Sequence, residues 1–74
     1  MKQYHQAPEL SKVAGANLKR LLKEFGKTQE DFADEFCVDV RTVRRWVSNG
    51  IDKLSLVQQI AEHFNVDVLS ILSE

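Results

Sequence analysis

The stretch TQEDFADEFCVDVRTVRRWVSNG, residues 28–50, decides the fold. It reads as two short amphipathic helices joined by a tight turn. Thr28 is a good N-cap for the first helix, and Asp31 stands three residues on, in the capping-box position. Glu30 and Asp31 sit in the first turn, where the helix dipole favours acids. Phe32, Ala33 and Phe36 form the inward stripe. Cys37-Val38 makes the turn, Asp39 caps the second helix, which runs to about Ser48, and Asn49-Gly50 ends it.

Working outward, Leu10, Val13 or Ala14, Leu18, Leu21, Leu22 and Phe25 recur at three- and four-residue steps. That spacing predicts a helix over 9–25, stopped at Gly26, where a left-handed residue is cheapest. Downstream, residues 51–53 form a connector. Leu56, Val57, Ile60, Ala61 and Phe64 predict a helix over 54–64, with Asn65 in the left-handed position after it. Asp67 caps a short fifth helix holding Val68, Leu69, Ile71 and Leu72. The fold class is all-α: five short helices and no strand pattern. Residues 1–8 lack periodicity and are expected to be a flexible arm, with 9–74 as the one domain.

Composition narrows the function classes. Of the 74 residues, 43% are hydrophobic and 28% charged, as in a soluble globular domain. The single cysteine excludes an internal disulfide and a cysteine-based zinc site, and fits a reducing cytoplasm. No apolar run approaches the roughly 20 residues a membrane span needs. The start MKQYHQAPEL has no apolar region of a secretory signal. The net charge of −1 hides alternating blocks: basic over 1–23, acidic over 24–39, basic over 40–53, acidic over 54–74. A local basic face steers an anionic partner even on a near-neutral chain.

The basic block over 40–53 is the informative one. On a helical wheel with Val43 facing the core, Arg41 and Arg45 lie about 160° away, on either side of the outward direction. Ser48 lies about 140° away; Arg44 and Val40 fall on one shoulder and Thr42 on the other. Val47 and Trp46 turn inward, so Trp46 reads as core and not as a base-stacking platform. Arginine's fork donates two hydrogen bonds to a guanine edge and also suits phosphate. Three arginines within five residues of a capped helix therefore point to double-stranded DNA, read in the major groove.

With those residues in view, 15–72 resembles the phage-repressor and Cro type of helix-turn-helix domain. The marks are Leu18, Leu21, Gly26, Thr28-Gln29, Phe32-Ala33, Phe36, Val38, Thr42-Val43, Trp46 and Gly50, continued by Ile60-Ala61, Phe64, Val66 and Ile71-Leu72. The resemblance implies a compact five-helix, lambda-repressor-like fold whose third helix reads DNA, usually as a dimer. It implies base-facing roles for Val40, Arg41 and Arg45. It also implies phosphate contact from Gln29 at the start of helix 2, with Thr42 or Arg44 on the backbone; the wheel adds Ser48, and Lys53 is a further phosphate candidate. Three departures stand out. Cys37 replaces the turn glycine common in the family. Leu22 and Val47 occupy positions that often hold a largely buried arginine–glutamate pair. One residue is added between Trp46 and Gly50.

The expected function is a sequence-specific, repressor-like DNA-binding regulator on a palindromic operator. One recognition helix reads few base pairs, so a homodimer is expected, with Leu69 and neighbouring apolar residues as contact. The competing reading is a protein-interaction module on the same fold, antitoxin-like or an anti-regulator partner, docking through the acidic helix 2 and apolar C-terminus. No enzyme, cofactor or metal site is expected. Cys37 reads as a small turn residue. His5 and His63 read as surface residues, and the acids of helix 2 as a solvated face.

Overall fold

The computed structural model describes the backbone of residues 6–73 and the side chains of 10–73. The chain order is α1 (Gln6–Glu24), α2 (Gln29–Phe36), α3 (Val40–Asn49), α4 (Leu54–Phe64) and α5 (Val68–Leu72), with no strand among the described residues. The largest fully buried side chains come from every helix: Leu18, Phe32, Val43, Val57, Ile60 and Ile71. Each such side chain stabilises the fold by about 1.5–3 kcal/mol relative to exposure. α2 to α5, each too short to stand alone, thus share one centre with the longer α1.

α1 starts three residues before the expected boundary, so residues 6–8 of the expected arm are helical; the rest of that arm, with His5, lies outside the described residues. Pro8 falls in the first turn, where its missing N–H has no intrahelical partner to lose. The ends of the α1 stripe are corrected as well. Leu10 and Phe25 are about half exposed, because the stripe outruns the helices that cover its middle. Of the alternatives Val13 and Ala14, Ala14 is the fully buried one. Gly26 takes φ 68°, and Lys27 N–H returns to the Leu22 carbonyl at 2.8 Å, closing the helix end as the glycine predicts.

The seam between α1 and α3 is made by backbone. A Cβ on Gly15 would lie 2.3 Å from the Trp46 carbonyl oxygen and 3.2 Å from Gly50 Cα. Gly50 itself has φ 112°, its N–H bonds the Trp46 carbonyl, and Ile51 N–H bonds the Ser11 carbonyl at 2.9 Å. α3 continues to Asn49, and Gly50 turns the chain directly onto α1. Ile51, expected only as connector, is buried as a result. Leu22 lies inside the apolar cluster and Val47 at its margin, so the two positions of the family's charged pair are both apolar and both part of the packing.

α5 is held from outside. Asp67 accepts the Leu69 N–H, as expected of a cap, but the carbonyl end is closed by α1. Buried Asn17 donates through Nδ2 to the Ile71 and Ser73 carbonyls, each at 2.7 Å. Nothing in the apolar periodicity flagged Asn17. Its role emerges only once α1 and α5 are side by side.

Candidate nucleic-acid interface

The first helix of the motif starts as its residues require. Thr28 Oγ1 accepts the Asp31 N–H at 2.9 Å, and Asp31 Oδ2 accepts the Thr28 N–H at 3.1 Å. The backbone bond from Thr28, then its hydroxyl bond, hold the Asp31 carboxyl below its ordinary pKa. α2 ends at Cys37, which adopts the left-handed conformation at φ 62°, while Val38 N–H reaches the Ala33 carbonyl. A non-glycine residue tolerates that conformation at some strain. Asp39 Oδ1 then accepts the Arg41 N–H at 2.9 Å and starts α3.

α3 presents two faces. Val43 and Trp46 are buried, and Trp46 meets Phe36 edge-on at 6.1 Å between centroids. Arg41, Arg45 and Ser48 are exposed, on the outward side the wheel gives them, and Arg44 is exposed on its shoulder. Val40 and Thr42 are half-buried, and Val40 packs against the core, so its outward surface is partial. Ser48 Oγ donates to the Arg44 carbonyl at 2.8 Å, which engages its hydroxyl proton within the helix. Gln29 is half-buried at the start of α2, and Lys53 is exposed just before α4.

The arginines differ in their surroundings. Among the described residues Arg44 has an ion pair, its Nη2 lying 4.0 Å from Glu30 Oε2 of α2. Arg41 and Arg45 have none there. Arg45, Thr42, Asn49 and Lys53 rim a polar cleft closed by Ser11 of α1, with Asp52 on the same rim. Asn49 is a neighbour of this group that the sequence reading used only as a helix end; its position four residues after Arg45 is the signal that was available.

A second cluster binds α2 to its surroundings. Glu35 accepts Lys27 Nζ and lies 3.1 Å from His63 Nε2 of α4. The Lys27 bond, then the His63 bond, hold the Glu35 carboxyl below its ordinary range. His63 is exposed, as expected of a surface residue, and its ring also stands edge-on to Phe32 at 5.3 Å and Phe36 at 5.7 Å. Glu35 lies on the exposed face expected of the helix 2 acids and also bridges Lys27 and α4.

A capped two-helix unit with a left-handed turn and an outward arginine face defines a class, the helix-turn-helix domains. A family profile for helix-turn-helix domains matches residues 18–71, and the chain belongs to that family, of the Cro/C1 type. No curated protein and no solved structure matches the chain. The family is one of DNA-binding regulatory domains and is not typically enzymatic. No helix among the described residues is long and apolar enough to cross a membrane.

Proposed function

We propose that this protein is a sequence-specific, repressor-like transcriptional regulator that lays α3 in the DNA major groove. The observation that carries the reading is the pair Arg41 and Arg45. Both are exposed on the outward side of a capped helix, one turn apart, without a carboxylate partner among the described residues. Guanine edges are their natural acceptors. Val40 lies beside them with a partial apolar surface suited to a thymine methyl. Gln29, Thr42, Arg44 and Lys53 take phosphate, and Ser48 joins them by releasing the Arg44 carbonyl. The protein acts in the cytoplasm as a homodimer on a palindromic operator, its half-sites about 34 Å apart. Leu69, 64% exposed, is the proposed centre of the dimer contact.

Selection of bound duplexes from a random pool at stated salt tests the reading. A shared, two-fold-symmetric sequence supports it; a pool without enrichment sinks it. Within the selected site, Arg45→Ala is expected to lose discrimination of about 1–3 kcal/mol at one base pair, while Arg44→Ala weakens all sequences evenly. Equal loss on selected and random DNA for Arg45→Ala removes it from base reading. Docking of another protein is the second reading, and the exposure of Leu10, Leu54 and Leu69 favours it. Steeply salt-dependent retention on bulk DNA separates the two.

A further inference from the structure

We infer that Glu30 is an internal counter-ion that holds Arg44 back from DNA and so sets how tightly the protein grips any duplex. The inference rests on the DNA-binding reading above. Three observations support it. Of the arginines on α3, Arg44 is the one with a carboxylate within 4.0 Å among the described residues, and that carboxylate is Glu30 on the neighbouring helix. Glu30 does no capping work, because Asp31 is the residue that closes the box with Thr28. Its side chain is 75% exposed and follows Gln29, the proposed phosphate contact at the start of α2.

Phosphate and carboxylate are alternative acceptors for the same guanidinium. When DNA approaches, Arg44 exchanges Glu30 for a phosphate oxygen, and Glu30 is left beside the polyanion without its partner. Both effects lower affinity whatever the base sequence. An exposed pair at this distance is worth a few-fold in an equilibrium constant, and salt screens it. Arg41 and Arg45 have no such competitor among the described residues, so base reading is unaffected. The device lowers non-specific binding on a face that has to remain basic.

The test compares the full chain with Glu30→Gln, Arg44→Gln, the double variant and Asp34→Asn. Asp34 is an exposed acid of α2 outside the capping box. Affinity for a random-sequence duplex is measured over a salt series, with thermal unfolding as a check that each variant is folded. Glu30→Gln is expected to bind roughly threefold tighter at low salt, with the gain fading as salt rises. The gain should be clearly smaller in the Arg44→Gln background, where only the repulsion between Glu30 and the duplex remains to be relieved. An equal gain without Arg44, an equal gain from Asp34→Asn, or no gain at all overturns the inference while leaving DNA binding intact. A parent chain that retains no duplex at any salt overturns DNA binding and this inference together.

Discussion

The two seams that hold the recognition unit are built differently. α3 meets α1 through main chain: Gly15 against the Trp46 carbonyl, Gly50 against Ser11, and a hydrogen bond from Ile51 to Ser11. α2 meets α4 through side chains. Phe32 stacks on Phe64 at 5.3 Å between centroids, and His63 inserts between the rings and Glu35. The main-chain contacts of the first seam at Gly15, Trp46, Gly50 and Ser11 involve no titratable side chain and leave no room for an added atom. The second depends on groups that ionise and on long side chains that rearrange. The helix proposed to read bases is therefore fixed by geometry, whereas the helix in front of it is fixed partly by charge. Mutation should act on the first by steric exclusion, and acidity should act on the second.

The largest effect should come from putting a charge into the core that α1 and α3 share. Leu22 is almost completely buried, and Leu22→Arg would bring a guanidinium into the cluster with no carboxylate to meet it. A loss of about 3–5 kcal/mol is expected in denaturant unfolding, enough to unfold much of a domain this small. Adding Val47→Glu should recover part of that loss, since the pair then recreates the ion pair common in the family. Absence of any recovery would mean that the two positions do not meet across α1 and α3. Next in size is Gly15→Ala. One methyl group 2.3 Å from a carbonyl oxygen forces α3 off α1, at about 1–3 kcal/mol. Gly26→Ala is the useful contrast. Its site is open space with φ 68°, so only backbone strain of about 1–2 kcal/mol is expected. If Gly15→Ala binds DNA as tightly as the parent and as Gly26→Ala while folded, the α1–α3 seam does not position α3.

The two seams were not equally legible in the sequence. Apolar spacing and capping residues carry local information, and they located Thr28, Asp31, Asp39, Gly26, Asn65 and Asp67 in their observed roles. They also turned Trp46 inward and the three arginines outward. Contacts between distant segments leave no such periodic trace. Asn17 looks like a polar interruption of the α1 stripe until α5 is laid beside it, and Gly15 looks like a weak helix residue until Trp46 arrives. His63 is on the surface as expected, but its contact with Glu35, 28 residues away, leaves no periodic mark. The helix limits at the N-terminus failed for another reason: Pro8 suggested a boundary, yet proline is compatible with a first turn. Of the proposed interface, the wheel found the outward residues, but it had no means of showing that Glu30 accompanies Arg44 and that Asn49 borders the same cleft as Arg45.

The smallest effect belongs to the second seam and is a matter of pH. Glu35 has a folded-state pKa below its ordinary value of 4.5, first through Lys27 and then through His63. A carboxyl lowered on folding stabilises the native state fully above its unfolded pKa, and that contribution disappears as pH falls through the folded value. Acid should therefore weaken the tie between α2, Lys27 and α4 at pH values below about 4.5, with the contribution intact at neutrality. Protonation removes the charge from both bonds at once. Asp31 is lowered as well, through its Thr28 contacts, and adds a loss in the same direction that is confined to the start of α2. Glu35→Gln should consequently flatten the acid limb of stability against pH, measured by urea midpoints, and leave the Asp31 portion in place. His63→Gln, which keeps a hydrogen-bond donor, should flatten it less than Glu35→Gln does, because Lys27 is the larger cause of the shift. An acid limb unchanged in Glu35→Gln would show that the α2–α4 seam is held by its rings alone, and the contrast between a geometric and an electrostatic seam would then fail.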